Sequence, residues 1–265
     1  MPEVHSSGDP LPKIDTSVPH SARIWNYWLG GNDNYAVDRE AGDRYREAFP
    51  AIVDVARASR AFLGRAVRYL VGEVGIRQLL DVGTGLPTAE NTHEIAQRVA
   101  PECRIVYVDN DPLVLAHARA LLTSTPEGAT DYIDTDMREP EKIIEAAGRL
   151  LDFSQPIGLL FMGVLGHISD DGEARSIIRQ VLAPMAPGSY LALQDGVIDP
   201  AASKAAQEYE ETGAVPYVLR TREQLASFFD GLELVPPGFV PVNRWRPDQP
   251  GEADLPTYGG VARKA

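Results

Sequence analysis

One cysteine, Cys103, stands in the whole chain, so no internal disulfide is available. At the start of a predicted strand it reads as a core residue rather than a nucleophile. Histidine is sparse as well. His5, His20, His93, His117 and His167 show no HxxxH spacing, and with no cysteine cluster the expectation is that there is no metal site. Basic residues are outnumbered, with 25 Lys and Arg against 38 Asp and Glu, for a formal net charge of −13. Such a surface lacks the clustered cations that bind nucleic acid or anionic lipid, so neither is an expected partner. Residues 1–12 are polar and broken by Pro and Gly, without the basic start and apolar core of a signal peptide, and no membrane span is predicted. The sequence reads as cytoplasmic.

What is present begins with 44% hydrophobic residues in 265, enough for one large α/β domain with an appendage or for two small domains. The organising stretch is Gln78-Leu79-Leu80-Asp81-Val82-Gly83-Thr84-Gly85-Leu86-Pro87-Thr88. It predicts a buried strand over 79–82, a glycine-rich turn and a helix opening near Thr88, the layout of a nucleotide-binding βαβ unit. A dinucleotide fingerprint starting at Gly83 needs a third glycine where Thr88 stands. Asp81 lies two residues before the first glycine, and no Lys or Arg occurs from Gln78 to Gln97. An unbalanced carboxylate repels a pyrophosphate, which disfavours a nicotinamide-dependent oxidoreductase. It attracts a ligand carrying an ammonium and a sulfonium, such as S-adenosylmethionine.

The second half of the unit agrees. A helix over about 88–99 closed by Pro101 leads into the β-branched run 104–109, which ends in Asp109. An acid there is placed to accept both ribose hydroxyls of an adenosine, and 24 residues separate it from Gly85, near the spacing of about 20 that this role needs. The plainer reading is a loop acid capping the next helix. Asp111, followed by Pro112, is the better candidate for that plainer role.

Along the chain, residues 1–15 read as a disordered tail and 16–74 as a helical cap or lid. Residues 19–35 are dense in aromatics and amides and include Gly30-Gly31. They suit a closing lid in which Tyr27, Gly30, Gly31 and Tyr35 approach a ligand, or equally an aromatic cluster that docks the segment on the core. Two helices follow, over 38–49 and 50–71, the second with an apolar face of Ile52, Val55, Ala56, Ser59, Phe62, Leu63, Ala66, Val67 and Leu70. From 75 to 265 strands alternate with helices. Helix 112–122 precedes strand 131–136, then helix 139–151, a doubly buried central strand 157–162, helix 170–185 and strand 189–194. A polar helix 200–212, a Thr221-capped helix to 229, and a hairpin-like pair, 232–240 with 258–261, complete the chain. This alternation implies parallel βαβ units with right-handed crossovers.

Asp81-x-Gly83-x-Gly85, Asp109, Asp136-Met137 and the strand count resemble the Rossmann-like S-adenosylmethionine-dependent methyltransferases. The resemblance implies a seven-stranded α/β sheet of order 3-2-1-4-5-7-6, its seventh strand antiparallel, with helices on both faces and an N-terminal helical cap. It also implies roles. Gly83 and Gly85 let backbone approach the methionine and ribose, Asp81 helps hold the amino end, Asp109 binds the ribose, and Asp136 with the Met137 backbone frames the adenine; Thr84 and Asn110 complete the cofactor-binding set. A narrower resemblance spans nearly the whole chain. Ser21-Ala22-Arg23, Tyr27-Trp28-Leu29-Gly30-Gly31, Asn34-Tyr35, Arg60-x-Phe62-Leu63-x-Arg65-Ala66-Val67 and 83–88 are similar to a family of S-adenosyl methyltransferases once listed as a domain of unknown function. Asn26 and Ser59 depart from its pattern, which has Asp and Asn there.

The function implied is methyl transfer to a small-molecule acceptor, with a non-catalytic cofactor-binding regulator as the alternative. Transfer to an already activated methyl needs chiefly proximity and a dry site. His167 is the candidate general base, since it follows the central strand on its carboxyl side. It sits in the run 163–168, which resembles a segment where a pair of histidines is frequent; Gly166 stands at the first of the two. His167 as a turn cap near Asp170 and Asp171, or Tyr27 or Tyr35 orienting the acceptor without a base, are the competing readings.

Overall fold

Strand β1 (Gln78–Val82) buries every residue, as a strand covered by helices on both faces must. The computed structural model describes residues 15–87, 90–121, 123–249 and 253–265. The expected tail, apart from Asp15, the helix opening at Thr88, and residue 122 of the expected helix 112–122 lie outside the described residues.

β1 pairs in parallel with β2 (Arg104–Asp109) on one side and β4 (Gly158–Met162) on the other. β3 (Ala129–Asp134) extends the sheet beyond β2, and β5 (Tyr190–Gly196) beyond β4. The sheet then turns antiparallel with β8 (Thr257–Arg263), which also pairs with β6 (Glu233–Leu234) and β7 (Val240–Pro241). Among the described residues the sheet has eight strands in the order β3-β2-β1-β4-β5-β8-β6, with β7 against β8. The expected 3-2-1-4-5-7-6 holds with one correction. Pro236, Pro237 and Gly238 interrupt the sixth strand, because proline offers no ladder N–H, and the strand is read as two short pieces. The last strand lies between β5 and these pieces, so the predicted terminal hairpin is part of the main sheet.

Two boundaries move in ways that matter for the site. β3 lies two residues earlier than expected, which leaves Asp136 in the loop beyond its end. Helix α4 (Thr92–Val99) starts later than Thr88, because Asn91 and Glu94 form a capping box in which the Asn91 amide donates to Glu94 at 2.7 Å.

Three large clusters make up most of the core among the described residues. Helix α3 (Ile52–Arg68) lays Phe62, Leu63, Ala66 and Val67 on the sheet face made by Leu79, Ile105, Leu160 and Val261. Its Arg65 donates to the Trp245 and Val242 carbonyls at 2.8 and 2.6 Å, which anchors the C-terminal segment. On the other face, α6 (Pro140–Ala147) and α7 (Asp171–Leu182) bury Ile143, Ile177 and Ile178 against Val106 and Phe161. The third cluster joins α1 (Ser21–Trp28), α2 (Ala36–Ala48) and α8 (Pro200–Glu210) through Ile24, Trp28, Ala41, Ala205 and Tyr209. Within the predicted cap 16–74, α3 packs in both places, its Ile52, Val55 and Ala56 in this third cluster with α1 and α2 and its later turns on the sheet. No helix among the described residues is long and apolar enough to cross a membrane.

Candidate active site

The carboxyl ends of β1, β2 and β4 open into a cavity of about 600 Å³, roofed by α1 and α3. This is where open parallel sheets bind ligands, and the volume is within the usual range for small-molecule sites. Gly83 begins the turn after β1 with φ +74°, and a Cβ there would come 2.3 Å from Val164, so only glycine fits. The Gly83 and Thr84 amides donate to the Val108 carbonyl at 2.8 and 3.3 Å, tying the turn to the end of β2. Gly85 N–H donates to Asp109 Oδ2 at 2.7 Å, and Asp111 N–H to Asp109 Oδ1 at 3.0 Å. Burial raises the Asp109 pKa, and these two amides oppose the rise. Asp81, 5% exposed, accepts from Thr92 Oγ1 at 2.6 Å; burial pushes its pKa up to about 6 against the pull of Thr92 and Arg60.

Asp81, Gly83, Thr84, Gly85, Asp109, Asn110, Asp136, Met137 and His167 all line this one cavity. Thr84 Oγ1 donates to the Asp81 carbonyl at 3.2 Å, and Asn110 Nδ2 to Asp136 Oδ2 at 3.1 Å. Asp111 takes the predicted plainer role, accepting from Leu113 N–H at 2.8 Å as α5 (Pro112–Leu121) begins.

Four predicted residues lie elsewhere. Tyr27, Gly30, Gly31 and Tyr35 are not on the cavity wall. The Tyr27 hydroxyl turns to α2 and donates to Asp43 at 2.9 Å. Gly30 ends α1 with φ +82°, and Gly31 packs so closely on Asn26 that a Cβ would meet its side chain at 2.4 Å. Tyr35 starts α2, where its N–H donates to Asp38 at 2.8 Å and its ring lies 5.3 Å from the Arg23 guanidinium. The aromatic segment does cover the cavity, but with His20, Ser21, Ala22, Trp25 and Asn26.

Sequence reasoning missed Arg60 and His20. Arg60 lines the cavity, and its Nε is buried with no hydrogen-bond partner while Nη2 donates to the Glu90 carbonyl at 2.9 Å. Burial lowers its pKa, with Asp81 the largest opposing influence. The missing cation of the glycine turn is thus supplied from α3. The signal was visible: Arg60 falls four residues after Ala56 and three before Leu63, on the face otherwise buried. His20 Nδ1 lies 3.0 Å from Asp111 Oδ2 on the cavity rim.

Comparison with known proteins agrees with this geometry. Residues 7–265 match the family described as S-adenosyl methyltransferase. The chain belongs to that family. The methyltransferase is 45% identical to a DUF574 family protein from Streptomyces avermitilis, with 96% of this chain and 100% of that one covered at a TM-score of 0.92. It is 39% identical to a protein from Thermobifida fusca provisionally described as a methyltransferase, covering 96% and 98% at a TM-score of 0.88. An O-methyltransferase family 2 protein from Planctomyces limnophilus shares the fold alone, at 15% identity, 87% and 67% coverage and a TM-score of 0.50. No curated protein matches the sequence. Fold and family are those of an S-adenosylmethionine-dependent enzyme.

In this methyltransferase His167 ends a short turn after β4 (Leu165–His167). Its Nδ1 lies 3.0 Å from the Pro216 carbonyl, which can only accept, so Nδ1 carries the proton and Nε2 keeps a lone pair. Burial lowers the His167 pKa against the raising effect of the Pro216 carbonyl, and His20 and Arg138 lower it further. Asp170, not His167, caps α7, accepting from Glu173 N–H at 2.7 Å. Arg220, 1% exposed, clamps the turn: it donates to the Leu165 carbonyl at 2.9 Å and to the Ile168 carbonyl, and pairs with Asp171 at 2.6 Å. Gly166 stands where the resembling pattern has a histidine because the Tyr217 ring covers it; a Cβ would meet that ring at 2.5 Å.

Proposed function

We propose that this methyltransferase acts on a small-molecule acceptor in the cytoplasm, with His167 as general base. One observation carries the cofactor assignment: Asp81 and Arg60 reach the same cavity and lie close enough for each to influence the other's ionisation. A carboxylate and a guanidinium facing one cavity complement an ammonium and a carboxylate on one carbon, the amino-acid end of S-adenosylmethionine. The buried, unpartnered Arg60 Nε fits that carboxylate, and nothing blocks approach to Gly85. Asp109 would accept from the ribose, and Asp136 with Met137 would border the adenine.

When bound, the cofactor supplies a methyl whose bond to the sulfonium sulfur breaks with the electron pair staying on sulfur. The protein's part is to exclude water beneath α1 and α3, to orient the acceptor, and to take its proton at His167 Nε2. A small acceptor is supported by the roofed cavity and by the charge of −13, which does not suit nucleic acid. The single cysteine is buried and free, in keeping with a reducing compartment. The test is to incubate the protein with methyl-labelled S-adenosylmethionine and the ultrafiltrate of a cell extract. Label should appear in a small molecule. Label that enters only macromolecules of the unfiltered extract overturns the acceptor class.

A further inference from the structure

A second, small cavity of about 70 Å³ adjoins the first, and the two share Ser21, Trp25, Ser59, Gly163, His167 and Gln194 as walls. It lies between α1, α2, α3 and α8, and Trp28, Tyr45, Phe49, Tyr209 and Tyr217 form much of its lining. Trp28 and Tyr45 are tilted at 56° with centroids 5.2 Å apart, and Tyr45 and Tyr209 stand edge to face at 6.3 Å. A lining this rich in rings favours an aromatic occupant. None of the lining residues is an Asp, Glu, Lys or Arg. An ammonium or a carboxylate placed there would be desolvated without a partner, so the occupant is neutral.

Three polar groups mark where its functional groups go. His167 lines both cavities, and with Nδ1 turned to the Pro216 carbonyl its Nε2 is the nitrogen that keeps a lone pair. Gln194 Oε1 is held by Thr257 Oγ1 at 2.8 Å and Ser59 Oγ at 3.4 Å. Deeper in, the hydroxyl of Tyr209, a residue 7% exposed, is buried with no hydrogen-bond partner. A buried hydroxyl is rarely left unpaired, and Tyr209 is one of the residues that line this cavity. By contrast the Tyr217 hydroxyl is committed to Asp195, which also accepts from the Gly166 and Gly196 amides at 3.1 and 2.8 Å.

We propose that this cavity is the inner end of the acceptor site, with the rest of the acceptor lying across the shared walls in the larger cavity, and that the acceptor is an uncharged, single-ring phenol bearing a second oxygen that accepts from Tyr209. This rests on the methyl-transfer reading above. The phenol oxygen forms the new bond to the methyl carbon at the junction, and its proton passes to His167 Nε2. His167 returns it to solvent after product leaves, so no oxidant or further reactant is needed.

The test is binding, read by calorimetry on the full chain. S-adenosylhomocysteine is titrated first; if it does not bind, the cofactor reading falls and this proposal with it. To the resulting complex are added the three hydroxyacetophenones, with acetophenone, tyramine and cyclohexanol as comparators. At least one hydroxyacetophenone should bind more tightly than every comparator. Tyr209→Phe should weaken it about fivefold, the loss of one hydrogen bond, with S-adenosylhomocysteine affinity unchanged. Ala202→Val, which fills the cavity from α8, should weaken it further at the same cofactor affinity. Binding of S-adenosylhomocysteine with no hydroxyacetophenone preference, or with equal phenol affinity in Tyr209→Phe, overturns the acceptor assignment and leaves the methyltransferase reading standing.

Discussion

Thr92 Oγ1 donates to Asp81 Oδ2 at 2.6 Å, linking the first turn of α4 to the end of β1 inside the cavity wall. The bond lowers the pKa of Asp81, yet burial outweighs it and holds the group up to about 6. In the unfolded chain an aspartate titrates near 3.9. The folded state therefore binds the extra proton between about pH 4 and 6, so this group's contribution to stability falls as pH rises through that window and stays low above it. By linkage the effect is on the order of 2–3 kcal/mol.

A cationic ligand reverses the shift. An ammonium beside Asp81 favours the carboxylate, so S-adenosylhomocysteine should bind more weakly as pH falls below about 6 and should release a proton on binding there. Calorimetry in buffers of different ionisation enthalpy at pH 5.5 and pH 8 measures this directly. Asp81→Asn should abolish the proton release, weaken binding at pH 8 and raise the melting temperature of the free protein. Unchanged affinity and pH dependence in that variant would remove Asp81 from the site.

Arg60→Gln should weaken S-adenosylhomocysteine binding on the order of tenfold or more, since a charge-assisted hydrogen bond contributes about 1.5–3 kcal/mol. The comparison ligand is 5′-methylthioadenosine, which keeps the adenosine and lacks the amino acid. Its affinity should be the same in Arg60→Gln and wild type. Equal losses for both ligands would mean that Arg60 supports the pocket's shape and does not hold the carboxylate.

Asp109→Ala should instead weaken both ligands. Its carboxylate also receives the Gly85 and Asp111 amides, so part of the loss will come from a loosened turn. Asp109→Asn, which keeps an acceptor oxygen for one amide, should retain more affinity than Asp109→Ala. If methylthioadenosine binds normally to both variants, the ribose role fails.

The sheet was legible because β1, β2 and β4 are largely apolar runs, and that pattern follows directly from burial on both faces. That Asp81, Gly83, Gly85 and Asp109 share one cavity was legible because they sit at or just beyond strand ends, and topology brings strand ends together. The cap was legible as a cover but not residue by residue. Tyr27 and Tyr35 look like ligand handles in sequence, yet Asp43 and Arg23, from elsewhere in the cap, claim them. Arg60 was hidden by the opposite effect: local charge counting stopped at Gln78, and the cation arrived from α3 through tertiary packing. Arg220 and Tyr209 carry no local signal; only the return of distant segments to the β4 turn and to α2 gives them a role.

Arg23 and Asp38 should decide whether the cap stays closed. Their side chains are 3.0 Å apart at 4% and 0% exposure, and Asp38 also accepts from the His20 and Tyr35 amides at 2.9 and 2.8 Å. Arg23→Met leaves a buried carboxylate without its cation, which destabilises by about 3–5 kcal/mol. Urea unfolding should report that loss. Limited proteolysis should cut the variant within residues 15–49 before the sheet, because α1 and α2 contribute little to the two sheet-facing clusters. A melting transition within a degree or so of wild type would make the pair dispensable.

The base assignment turns on the pH profile rather than on the size of a rate loss. His167 Nδ1 faces the Pro216 carbonyl, so the lone pair is on Nε2, and burial holds the ring's pKa below the ordinary histidine value. With a phenolic acceptor, kcat should fall on the acid side with a midpoint below about 6.5 as the imidazole protonates. His167→Gln keeps a hydrogen-bonding side chain and has no titratable group. It should lower kcat by about 10²–10⁴-fold, remove the acid limb, and leave S-adenosylhomocysteine affinity as in wild type. Arg220→Met, which frees the Leu165 and Ile168 carbonyls without touching the imidazole, should lower kcat less and keep the acid limb. Were His167→Gln to turn over within a few-fold of wild type with the same profile, His167 would be a wall of the junction and proximity alone would drive the transfer.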